Sequence, residues 1–192
     1  METLKDIKLN GLRLKLVRGD ITKYRADAIV NAANKYLEHR GGVALAIAKA
    51  CMEEVESYIR ICKDEMKKQI GREYIEHGEV VVTPSFNLEA AGIRYVIHTV
   101  GPICHGEWNE DLKEKLRRAI MAPLKKAEEL GINSIAFPTI SAGIYGCPFE
   151  EVVKTFLEVV RDFAKSAKKV NVVSLVVYDE KSANSALKVF TL

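Results

Sequence analysis

A chain of 192 residues, 48% of them hydrophobic, is long enough for one packed core and short for two ordinary domains, so a single domain spanning 1–192 is expected. Its 29 lysines and arginines against 26 aspartates and glutamates leave a net charge of only +3, which removes any global electrostatic case for nucleic acid, so an anionic ligand must be caught locally. The start METLKDIKLN has no apolar signal core and no run approaches the roughly 18 apolar residues of a membrane span, so a cytoplasmic protein is expected. The finely mixed charge of both signs also suits a heat-adapted surface.

In chain order, IKLNGLRLKL turns about Asn10-Gly11 and predicts an antiparallel hairpin whose second arm is LRLKLV (12–17). Further strands are predicted at DAIVNAA (27–33), EVVVTP (79–84), RYVIHTV (94–100), SIAFPTI (134–140) and VNVVSLVVY (170–178). Several lack polar alternation, as strands covered on both faces do. Helical patterns occupy Val43 to Cys51, Val55 to Gln69, Asn109 to Leu130, Phe149 to Ala164, and Ser182 to Phe190. The fourth repeats Val152, Val153, Phe156, Leu157, Val160 and Phe163 at spacings of three and four, which makes one apolar stripe. Gly131 closes the third as a C-cap glycine. Alternating strands and helices predict a three-layer α/β/α sandwich around a mixed, mostly parallel sheet.

Cys51, Cys62, Cys104 and Cys147 form no CxxC pair and lie far apart in sequence, which disfavours zinc and a disulfide framework. Buried free thiols are expected, with Cys147 inert. His39, His77, His98 and His105 show no metal-ligand spacing, and His98 is expected to be a satisfied strand histidine. No metal and no cofactor are therefore expected. Trp108 and the other aromatics are too scattered for a base-stacking platform.

Ligands of open α/β sheets bind beyond the carboxyl ends of the strands. There the sequence pools Gly19-Asp20-Ile21, Asn31 to Asn34, Gly101-Pro102, Ser141 to Gly146, and Tyr178-Asp179. Gly41-Gly42 stands directly ahead of a helical run, so free N–H groups and a positive dipole end face outward. Two glycine-bearing loops on one rim suit two linked phosphates held by backbone N–H groups. No glycine is followed by lysine and G-x-G-x-x-G is absent, which excludes a standard Walker loop and the usual dinucleotide fingerprint.

RGDITKYRADAIVNAANKYLEHRGGVALAIAKA, HTVGP, SIAFPTISAGIYGCP and VVYDEKSA, in that order and spacing, resemble the macro domain, an ADP-ribose-binding α/β/α module, and in particular its archaeal stand-alone members. The resemblance covers the chain nearly end to end. It implies that Asp20, with the Ile21 N–H beside it, reads the adenine amine, and that Tyr178 stacks on the ring. It implies a first diphosphate loop at Gly41, Gly42, Val43 and Ala44, and a second at Ser141, Ala142, Gly143, Ile144 and Tyr145 that also closes over the distal ribose. Asn34 matches the distal-ribose asparagine and is the candidate catalytic residue. Each has a plainer alternative: a helix-capping Asp20, a core-edge Tyr178, a packing Tyr145 and a turn Asn34.

Two departures bear on activity. Hydrolytic family members often carry an aspartate after Gly-Gly-Val, and this chain has Ala44, so the obvious general base is missing. Arg40 stands where a third glycine is common. The implied partners are ADP-ribose and ADP-ribosylated proteins. The implied activity is removal of mono-ADP-ribose from protein Glu or Asp, with ADP-ribose 1''-phosphate a second substrate; the alternative is a non-catalytic ADP-ribose reader.

Overall fold

The computed structural model describes residues 1–190. Its seven strands are β1 (Glu2–Leu9), β2 (Leu12–Arg18), β3 (Ala28–Ala33), β4 (Val80–Pro84), β5 (Tyr95–Val100), β6 (Ser134–Phe137) and β7 (Val172–Val177). Five helices alternate with them: α1 (Gly42–Cys51), α2 (Val55–Ile70), α3 (Glu110–Leu130), α4 (Phe149–Ala164) and α5 (Glu180–Val189). The strands form one sheet in the order β1-β2-β7-β6-β3-β5-β4. The central pairings are parallel, while β1 on β2 and β4 on β5 are antiparallel. The sandwich is thus mixed and mostly parallel, as expected.

The hairpin turns where the sequence places it, with Asn10 in the left-handed region at φ 57°, a conformation asparagine tolerates better than most residues. One apolar cluster packs α3, α4 and α5 on one face of the sheet. A second packs α1 and α2 on the other. The α4 stripe faces the sheet, and Phe156 meets Phe137 edge-on at 5.3 Å between ring centroids. Gly131 ends α3 at φ 70°.

Pro123 lies inside α3, where its missing N–H orphans the carbonyl of Ala119. The Thr99 hydroxyl of β5 donates to that carbonyl at 2.7 Å, so the break is repaired from the sheet. Several edges differ from the sequence reading, and two have a clear cause. β6 ends at Phe137, because Pro138 has no N–H for the ladder. α5 begins at Glu180, because Asp179 accepts from the Ser182 N–H at 2.7 Å and caps the helix.

The cysteine expectation needs correction. Cys51 and Cys62 are free and buried, but Cys104 and Cys147 form a disulfide across 43 residues. The loops after β5 and β6 lie on one rim of the sheet with only β3 between the strands, so residues distant in sequence meet there. Among the described residues, no helix is long and apolar enough to cross a membrane.

Candidate functional site

β2, β7, β6, β3 and β5 run parallel, so their carboxyl ends open on one rim. α1 starts there with no side-chain cap, and its first bond runs from the Leu45 N–H to the Gly41 carbonyl at 3.2 Å. Among the described residues, the Gly42, Val43 and Ala44 N–H groups have no backbone acceptor. With Gly42 at φ 58°, where a Cβ would be strained, these donors face a cavity of about 350 Å³. Its opposite wall is Ser141, Gly143, Ile144 and Tyr145. The two predicted loops therefore do confront one another; Ala142 is half-buried and is not among the lining residues.

A second cavity of about 460 Å³ continues from the first and shares Gly42, Val43, Pro138 and Thr139 with it. Asp20, Ile21 and Tyr178 line this end. Tyr178 is 77% exposed, so its ring is free to take a flat partner rather than closing the core. Asp20 is indeed a cap: Oδ1 accepts from the Thr22 N–H at 2.9 Å and the Thr22 hydroxyl at 2.7 Å. The cap positions the carboxylate and occupies one oxygen. Sequence reasoning passed over Pro138 and Thr139, although leaving the β6 ladder is what lets them floor both cavities.

Asn34 lines the first cavity and also staples its own turn. Its Oδ1 accepts from the Tyr36 and Glu38 N–H groups at 3.2 and 3.0 Å, and Nδ2 donates to the Glu38 carbonyl at 2.8 Å. Arg40 lines the first cavity and pairs with Glu56 and Glu38 at the exposed edge of the loop. Ser141 sits at φ 66° with a buried hydroxyl that has no partner. A non-glycine residue held there marks stored strain at a functional loop. Gly101 makes room for it, since a Cβ on Gly101 would lie 2.1 Å from Ser141 Oγ.

The macro domain model matches residues 30–156. A relative in Archaeoglobus fulgidus named ADP-ribose glycohydrolase is 62% identical over 190 residues, covering 99% of this chain and 98% of that one. The chain belongs to the macro domain family. A mutant macrodomain of Oceanobacillus iheyensis solved with ADPR superimposes with a TM-score of 0.85 at 32% identity, over 96% of this chain and 95% of that one. A Trypanosoma brucei macrodomain in complex with ADP-ribose gives 0.75 at 28% identity, over 91% and 68%.

Beneath the first loop, this macro domain buries a polar cluster that sequence spacing did not disclose. His98 of β5 meets the Asn31 amide at 3.0 Å through Nδ1 and the Thr83 hydroxyl at 2.9 Å through Nε2. It is the satisfied strand histidine expected. His39, which leads into Arg40 and the glycines, stacks on it at 5.1 Å and 17°. Nitrogen or sulfur atoms of His39, Cys62 and His98 lie within 4.8 Å of one another, a donor set for a metal. Burial pushes the Cys62 thiol up to about 12, which opposes the thiolate a metal would need. The hydrogen-bonded net is only partly satisfied, because Asn31 Oδ1 and His39 Nε2 are buried without a partner.

Burial, then the charge of Lys63, lowers His39 from 6.5 to about 4, and burial, then the charge of His39, holds His98 well below the ordinary histidine range. Above pH 6.5 both histidines are neutral, folded or unfolded. As pH falls from there, the unfolded chain takes up protons that the fold refuses, so stability declines, with His39 contributing down to about pH 4. His39 alone accounts for about 3 kcal/mol of that decline. Denaturant midpoints measured between about pH 7 and 5.5, above the titration of the carboxylates, are expected to fall steadily. A flat profile would mean that the buried net accepts the protons.

Proposed function

We propose that this macro domain acts as one unit that binds ADP-ribose and hydrolyses it from protein glutamate or aspartate. The supporting observation is one continuous cleft with a donor-rich centre and an adenine-sized end. Free N–H groups of α1 and the second loop line the centre, and Asp20 and Tyr178 stand at the end. Adenine would lie on Tyr178 with its amine donating to Asp20, the diphosphate between the two loops, and the distal ribose beside Asn34 and Tyr145. The names of the Archaeoglobus relative and of the solved complexes agree with this ligand.

Ala44 offers no base, and the Glu38 carboxylate at the cavity wall is paired with Lys63 and Arg40, so activation of the water is assigned to the substrate. A water held between a phosphate oxygen and the distal ribose would attack the anomeric carbon. Its proton passes to the phosphate, the anomeric C–O bond breaks, and the carboxylate leaves as an anion that needs no acid. Orientation supplies the rate. ADP-ribose 1''-phosphate would fit the same cleft as a smaller substrate. The second reading, a reader without chemistry, is favoured by Ala44.

The deciding experiment adds a trace of protein to excess carboxylate-linked ADP-ribosylated protein and counts ADP-ribose released per molecule. Many turnovers are expected; binding without release would make this a reader. In calorimetry, Asp20→Ala should weaken ADP-ribose about tenfold or more, with contributions from the lost adenine contact and the lost cap. Undiminished affinity would remove Asp20 from the site.

A further inference from the structure

Past the ribose end of the cleft a third cavity opens, also about 460 Å³, which shares Asn34, Gly101 and Tyr145 with the central one. With the distal ribose beside Asn34 and Tyr145, a group attached to it would stand next to this cavity. The walls differ in chemistry from the rest of the cleft. Tyr36 and Ile103 present large apolar surfaces, each 52% exposed. Lys35, from the turn after β3, and Lys115, from α3, bring two ammonium groups, and no carboxylate lines the cavity.

Neither lysine is strongly held. Lys35 Nζ lies 5.7 Å from the centre of the Tyr74 ring. Lys115 pairs at 3.0 Å with Asp111 one turn away, but that acid is 72% exposed, and such a surface pair yields readily to a competing carboxylate. His77 donates through Nδ1 to the Val100 carbonyl at 2.9 Å, so its other nitrogen is the one left toward the cavity.

We propose that this cavity is an acceptor-side subsite, which holds the polypeptide on either side of the modified residue and selects acidic flanking residues. The proposal rests on the central cleft being an ADP-ribose site. An acidic polypeptide fits because the two cations come from separate elements, Lys35 from the turn after β3 and Lys115 from α3, and share the cavity wall with the apolar Tyr36 and Ile103. A further nucleotide unit of a polymer fits less well. Its diphosphate asks for converging N–H donors, and α3, unlike α1, caps its own start: Asn109 accepts from the Leu112 N–H at 2.9 Å.

The test uses calorimetry with free ADP-ribose, with di-ADP-ribose, and with two peptides bearing ADP-ribose through a non-hydrolysable amide at a glutamate position. One peptide carries Asp and Glu around that position and the other carries Lys. The acidic peptide is expected to bind about three- to tenfold more tightly, with the difference fading as salt rises. The double variant Lys35→Ala, Lys115→Ala should erase the difference and leave free ADP-ribose affinity unchanged. Equal peptide affinities in the unaltered protein, with ADP-ribose bound normally, would overturn the subsite and spare the cleft. Failure of free ADP-ribose to bind would overturn both. Di-ADP-ribose binding more tightly than the acidic peptide, and losing that advantage in the double variant, would give the cavity to polymer instead.

Discussion

Gly101→Ala is expected to destabilise the protein by about 1–3 kcal/mol and to weaken ADP-ribose at least tenfold. The added Cβ would lie 2.1 Å from Ser141 Oγ and 2.6 Å from Ile140 Cγ2. A serine hydroxyl can rotate away, but a β-branched isoleucine has little χ1 freedom. Ser141 is already at φ 66° and passes its carbonyl to the Cys147 N–H at 2.9 Å. The loop therefore has to move as a body, and the N–H groups after Ser141 lose their aim. For a chain of this size the melting temperature should drop by roughly 3–10 °C. Gly143→Ala is the control for stability, because nothing lies within 4 Å of its added Cβ. Its melting temperature should hold. If Gly101→Ala also melts and binds normally, the close approach does not fix the loop.

The site was legible wherever a local residue pattern dictates local geometry. Gly41-Gly42 before an apolar run sufficed to place an uncapped helix start, and the α4 stripe gave that helix its full extent from Phe149 to Ala164. Asn10-Gly11 announced the hairpin. What stayed hidden depends on strand order. Only once β6, β3 and β5 are neighbours do Gly101 and Ser141 pack together, Cys104 and Cys147 bond, and His39, His98 and Asn31 share one buried net. No spacing along the chain encodes those meetings. The plainer alternatives proved instructive too, for Asp20 and Asn34 both make the turn contacts that their residue types suggest and still face the cleft.

That double duty shapes the largest effect expected at the site. Asn34→Ala should lower the rate of release from a carboxylate-linked substrate by about a hundredfold or more, while ADP-ribose affinity falls only a few fold. The amide loses its bonds to Tyr36 and Glu38 in the variant, which loosens the turn leading into His39 and the first loop. A loosened turn costs binding and turnover alike, because it displaces the N–H groups that hold the diphosphate. A lost contact to the distal ribose acts differently. The diphosphate and adenine still anchor the ligand, but the anomeric carbon no longer stays in line with the water, and without a protein base at Ala44 nothing else restores that alignment. Single-turnover rates measured beside calorimetry separate the two contributions. A rate loss far beyond the affinity loss assigns Asn34 to orientation of the ribose; matched losses would leave it a turn residue and return the candidate site to a binding role.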